Sequence, residues 1–152
     1  MIINTKIFGE IDVDESKKIT FPQGIVGFAE LKDFMLVHDN EKTGGIRWMQ
    51  SLQEPAFAMP VIDPLAVKED YNPSIEDELL KPLGEVNPED MLVLVTITVP
   101  KDIENMTVNL RAPIIINSAT RKAGQIIIED DSYLVKYPVY DILKKAKERA
   151  GE

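Results

Sequence analysis

Short alternating apolar runs, each closed by Gly, Pro, Asn or Asp, follow one another so closely along this chain that helical crossovers have almost no room between them. Ile3, Thr5, Ile7 and then Ile11, Val13 form two arms around Phe8-Gly9-Glu10. Phe34 to His38, Arg47 to Ser51 and Ala56 to Ile62 follow as three strands, with Asn40 to Gly45 as a polar hairpin loop. Met91 to Val99 is the strongest strand, since it has no breaker and places Met91, Val93, Val95, Ile97 and Val99 on one face. Its other face runs from Leu92 and Leu94 to Thr96 and Thr98, so one end is expected to be buried on both sides. Thr107 to Leu110, Ile114 to Ile116 and Gln125 to Ile128 add further strands, broken at Pro113 and Gly124. So many closely spaced strands predict a mainly β, single antiparallel β-barrel-like domain over residues 1–152, closure removing the exposed edges.

Two helices are expected. Asn72 to Leu80 carries a helix start, with Ser74 as cap and Glu76, Asp77 and Glu78 in the first turn, stopped by Pro82 and Gly84. A C-terminal amphipathic helix has Pro138 in its first turn, an apolar stripe of Val139, Ile142, Leu143, Ala146 and Ala150, and Lys144, Lys145, Lys147 and Arg149 before Gly151.

Composition excludes several chemistries. Lys+Arg 17 against Asp+Glu 26 leaves a net charge of -9, a surface that repels a phosphate backbone, so no direct nucleic-acid binding is expected. The absence of Cys removes disulfides, thiolate nucleophiles and Cys-based zinc sites, and the single His38 excludes a two-His metal site in one chain. Asp39, its neighbour in a strand-to-loop transition, points to the opposite face and does not orient the ring, which argues against a catalytic His38. Asp12-Val13-Asp14-Glu15-Ser16 begins like a calcium loop, but Lys17 stands where Gly is needed and Gln23 where Glu is needed. No phosphate-cradling glycine motif occurs. No apolar run reaches the roughly 20 residues of a membrane span, and the N-terminus has no signal-peptide pattern, so a cytoplasmic protein without cofactors is expected.

Two acidic clusters stand out, Glu76-Asp77-Glu78 and Glu129-Asp130-Asp131. The plain account is helix N-terminal charge for the first and a polar hairpin loop for the second; the sharper one is steering of a basic partner. Trp48, Tyr71, Tyr133 and Tyr137 are the aromatics expected to straddle surface and core, as partner anchors or as core lining.

Phe21-Pro22-Gln23-Gly24-Ile25-Val26-Gly27-Phe28, Trp48-Met49-Gln50-Ser51, Asp63-Pro64 with Tyr71, the run Thr107 to Asn117 through Asn109-Leu110-Arg111-Ala112-Pro113, and Arg121-Lys122-Ala123-Gly124-Gln125 come in a recognisable order and spacing. In these residues the chain resembles the FliW family of flagellar assembly factors over nearly its whole length. The resemblance implies a non-enzymatic, β-barrel-like protein of the bacterial cytoplasm that binds flagellin and also the carbon storage regulator CsrA, a dimeric repressor of flagellin translation. Capture of CsrA would lift repression, and accumulated flagellin would reverse it. An acidic protein docked beside an RNA-binding surface would also lower its positive potential, an effect that weakens with salt. Pro22, Gly24, Gly27, Asn109 and Pro113 are expected to shape backbone, as Gly, Pro and buried Asn do, and Trp48 marks the motif after the first hairpin. The expected partner surface is Glu129, Asp130, Asp131 and Tyr133, with Glu76, Asp77 and Glu78, and flagellin is expected to be held instead by an apolar groove or a strand edge. A monomer is expected. Two other classes stay open: a small β-barrel hydrolase or isomerase using a carboxylate pair, and a lipocalin-like barrel with an open apolar lumen.

Overall fold

The computed structural model describes residues 2–5, 9–38, 46–85 and 87–150. The described residues form eleven strands and two α-helices: β1 Ile2–Thr5, β2 Gly9–Asp12, β3 Ile19–Thr20, β4 Asp33–His38, β5 Arg47–Ser51, β6 Ala58–Ile62, α1 Asp77–Leu80, β7 Met91–Thr98, β8 Thr107–Val108, β9 Ile114–Asn117, β10 Lys122–Gln125, β11 Tyr137–Pro138 and α2 Tyr140–Ala150. The hairpin loop expected at Asn40 to Gly45, like Ile7 and Phe8 of the first turn, lies outside the described residues.

Seven strands close on themselves in the order β3-β4-β5-β6-β7-β9-β10, because β7 pairs with both β6 and β9. Every ladder in this ring is antiparallel except the seam, where Lys122 of β10 lies parallel to Thr20 of β3. The expected barrel is present, with that one parallel contact as a correction to a fully antiparallel sheet. β1 and β2 form a separate two-stranded sheet, and β8 with β11 extends β7 beyond the ring.

The period-two pattern explains why the ring holds. Ile114 and Ile116 pack with Phe21, Phe34, Met49 and Leu94 in the first core cluster, while Ile115 between them turns outward to Leu83 and Ile126. Phe21 and Phe34 meet edge-on, centroids 5.2 Å apart at 72°, and both are fully buried. Side chains thus fill the barrel interior, against the open lumen of a lipocalin-like barrel. β7 is covered on both faces, Leu92 and Leu94 inside and Val93, Val95 and Ile97 beneath a second cluster with Tyr71, Leu110 and Val139. Ile142 and Leu143 pack on this second cluster and so seat α2. No helix among the described residues is long and apolar enough to cross a membrane.

Several local expectations shift. The strand expected at Gln125 to Ile128 is Lys122–Gln125 instead, and Gly124 pairs with Ile115 in mid-strand rather than breaking it. Beyond Gln125 the chain leaves β9 for the 111–113 segment, Ile126 N–H donating to the Pro113 carbonyl at 3.0 Å and Ile128 N–H to that of Arg111 at 2.7 Å. Ser74 does not cap α1, which begins after Glu76 and holds one turn before a 3-10 turn at Lys81–Leu83. Pro138 belongs to β11 opposite Thr107 and not to the helix; with no N–H, proline is tolerated on such an edge strand, and helical bonding starts with Leu143 N–H to the Val139 carbonyl. Asp14 makes an ordinary cap, accepting from Ser16 N–H and Oγ at 3.0 and 2.6 Å.

Candidate partner-binding surface

Between Val108 of β8 and Ile114 of β9 the chain must make up a register shift against β7, since Ile97 faces Val108 but Leu94 faces Ile114. The excess residues form a bulge at 109–113. Asn109 shapes it, its Oδ1 accepting from the backbone N–H groups of Arg111 and Ala112, both at 3.1 Å. Arg111 is thereby aimed at the 129–133 turn. Its Nε donates to the Tyr133 carbonyl at 2.9 Å and its Nη2 to the Asp131 carbonyl at 3.1 Å, with the Asp131 carboxylate 3.5 Å away. Asp130 closes the turn, accepting from Ser132 N–H at 2.9 Å and Oγ at 2.7 Å. These bonds from Ser132, with Arg111 nearby, hold the Asp130 carboxyl below its usual range. Glu129, Asp130 and Asp131 all face solvent on this braced turn.

Tyr133 is half-buried. Its ring meets Tyr71 edge-on at 5.0 Å, and its hydroxyl accepts from Asn72 N–H at 3.3 Å. Tyr71 is buried and donates its hydroxyl to the Leu110 carbonyl at 2.7 Å. Burial, with Tyr133 beside it, pushes the Tyr71 hydroxyl pKa well above the usual value of about 10. Above pH ~10 the unfolded chain releases this proton while the folded chain keeps it, so the stabilisation is complete below that pH and is lost as pH rises. Urea midpoints are accordingly expected to fall between pH 9 and ~11.5 more steeply for the wild type than for Tyr71→Phe; equal slopes would show that Tyr71 carries none of the alkaline sensitivity.

Pro22 and Gly24 shape the loop after β3. Gly24 N–H donates to the Phe21 carbonyl at 2.9 Å, which puts Pro22 at the second position of a turn. Ile25 and Phe28 then exchange backbone bonds around Val26 and Gly27, Gly27 supplying the positive φ of 87° such a turn needs. Val26 N–H donates to Gln125 Oε1 at 3.0 Å, Gln125 Nε2 donates to the Ala112 carbonyl at 3.1 Å, and Phe28 packs on Phe57 with centroids 4.9 Å apart. Trp48 lies away from this surface on β5, half-buried between Val37 and Pro60 of the neighbouring strands, and Pro113 is buried at the entry to β9.

Leu79 of α1 and the segment that leads into the acidic 129–133 turn border one cleft. A cleft of about 400 Å³ is lined by Pro22, Val26, Leu79, Pro82, Ile127 and Glu129, so α1 forms one wall and the 126–129 segment another. On the other side of α1 a second cleft, about 530 Å³, is lined by Ile75, Leu80, Met91 and Val93 with Asp63 and Asp77. Glu76, Asp77 and Glu78 are exposed, Asp77 lining the second cleft, and Glu78 pairs with Lys81 at 3.4 Å. Arg111 and Gln125 stand in the motifs, yet the sequence assigns neither of them, nor Ile127, a part in this surface. The available signal for Ile127 is alternation: in extended chain it shares a face with polar Gln125, opposite Ile126 and Ile128, which the structure buries. Nothing local ties Arg111 to carbonyls about twenty positions away.

The family described as "FliW protein" matches residues 2–139. The chain is 46% identical over 155 residues to the flagellar assembly factor FliW of Lachnoclostridium phytofermentans, covering 100% of this chain and 99% of that protein. It is 49% identical over 148 residues to the same factor from Lachnospira eligens, covering 95% and 98%. A crystal structure of the flagellar assembly factor FliW superposes with a TM-score of 0.84 at 31% identity, covering 91% of this chain and 96% of the other.

Proposed function

Because the chain belongs to the FliW family of flagellar assembly factors, we propose that it works in the cytoplasm, without catalysis, by binding flagellin and the translational regulator CsrA in turn. Binding CsrA relieves its repression of flagellin mRNA; flagellin accumulation occupies the factor and restores repression. The observation that carries this reading is the solvent-facing acidic turn at Glu129, Asp130 and Asp131, braced by Arg111 on a chain of net charge -9. An acidic surface of fixed shape suits capture of a basic RNA-binding protein and disfavours RNA itself. Glu76, Asp77 and Glu78 extend the same field.

Calorimetric titration of the purified protein with flagellin and with CsrA, repeated with the other partner present, tests it. Saturable binding to both, each lowering the affinity for the other, is the expected result; binding to neither overturns the reading. Reversing Glu129 and Asp131, which leaves Asp130 to close its turn, is expected to weaken CsrA about tenfold, more at low salt than at high. Unchanged affinity would remove this turn from the interface.

A further inference from the structure

The cleft beside the Gly24–Phe28 turn holds large aliphatic side chains in solvent. Val26 is 53% exposed, Leu79 48% and Ile127 59%, and all three line it. Single exposed aliphatics are ordinary on a protein surface. Here three come from distant segments and surround one concavity, and the one at the loop tip is fixed in place. Gly24 has φ 71°, and a Cβ on it would lie 2.3 Å from the Ala29 carbonyl oxygen, so the turn has one tight backbone path. Val26 is bound through its N–H to Gln125, and Phe28 is packed on Phe57, so neither end of the turn is free to fold Val26 inward. Glu129 lines the same cleft, and Glu78 adjoins Leu79. Glu129, Glu76 and Asp77 make no ion pair among the described residues, whereas Lys81, the cation at the end of α1, is engaged by Glu78.

We propose that this cleft docks a protein segment that presents aliphatic side chains bordered by Lys or Arg. The inference rests on the reading of the chain as a partner-binding factor and names the chemistry the partner brings. The aliphatics supply apolar area to be buried, and Glu129 in the lining, continued by Asp130 and Asp131 and neighboured in sequence from Leu79 by Glu78, Asp77 and Glu76, selects a basic flank and speeds its approach. An anionic lipid surface is disfavoured by the same acids, and a second copy of the chain by the net charge of -9.

The test uses the full chain and the variants Val26→Asp, Ile127→Asp and Glu129→Gln, whose altered side chains face solvent, with thermal melts confirming an intact fold. At least one of flagellin and CsrA is expected to lose tenfold or more in affinity for both aspartate variants and about threefold for Glu129→Gln. If both partners bind the aspartate variants within twofold of the wild type, the cleft assignment fails while the proposed function stands. If the wild type binds neither, the function fails, and a synthetic amphipathic Leu/Lys helix then decides the cleft: amide shifts centred on residues 24–28, 79–83 and 125–129 support it, and shifts elsewhere or none overturn it. Binding to phosphatidylglycerol vesicles, or a dimer that Val26→Asp dissociates, also overturns it.

Discussion

Gly24→Ala is expected to lower the thermal midpoint by about 5–15 °C. Two costs add. A non-glycine residue held at φ 71° costs about 1–2 kcal/mol, and a Cβ 2.3 Å from the Ala29 carbonyl oxygen forces a backbone shift of the overpacking kind, another ~1–3 kcal/mol. For a chain of this size each kcal/mol moves the midpoint by roughly 2–4 °C. Gly27→Ala separates the two terms, because Gly27 shares the positive φ but a methyl added there has nothing within 4 Å. It should lose only about 1–2 kcal/mol. Circular dichroism melts of both variants check this; equal losses would mean that the close approach to Ala29 carries no cost. Gly24→Ala also displaces Val26 and so should weaken whatever segment the cleft docks.

Asn117→Ala is expected to cost about 2–4 kcal/mol, more than its size suggests. Asn117 is fully buried at the end of β9, its Nδ2 donating to the carbonyls of Leu83 and Glu85 at 3.0 Å each and its Oδ1 accepting from Ala119 N–H at 3.0 Å. Truncation removes three bonds worth about 0.5–1.5 kcal/mol each, of which only the one to Leu83 is fully buried, and there Thr120 Oγ1 still donates at 2.8 Å. The Lys81–Leu83 turn carries Leu83 onto Ile115 and Ile126 and Pro82 into the cleft wall, so its amides should also exchange faster with deuterium in the variant. A urea midpoint within error of the wild type, with unchanged exchange at 81–85, would show that Asn117 is not the tether.

The strands of the ring were legible because their signal is local. Arg47 to Ser51 matches its strand residue for residue, and Phe34 to His38 and Met91 to Val99 differ from theirs by one position at an end. Expectations failed where pairing with a distant segment overrode local chemistry. Ile126 to Ile128 has strand composition, yet the N–H groups of Ile126 and Ile128 go to an irregular bulge. Pro138 suits a first helical turn, yet Thr107 opposite makes it an edge strand. Ser74 suits a cap, yet α1 begins three residues later.

The candidate surface divides in the same way. Its acids, its two turn-forming glycines and the membership of Pro22 and Asn109 in shaped backbone are properties of single residues or short runs, and a chain of net charge -9 without cysteine shows them unaided. That Glu129 and Leu79 wall one cleft, that Arg111 braces the acidic turn, and that Tyr133 packs edge-on against Tyr71 were decided only in three dimensions. Periodicity, turn propensity and charge act over a few residues and are written directly into the chain. Barrel closure at Lys122 and Thr20, the register shift that makes the 109–113 bulge, and the meeting of residues 26, 79 and 127 depend on which strands pair and in what register, which the packing of the whole core selects.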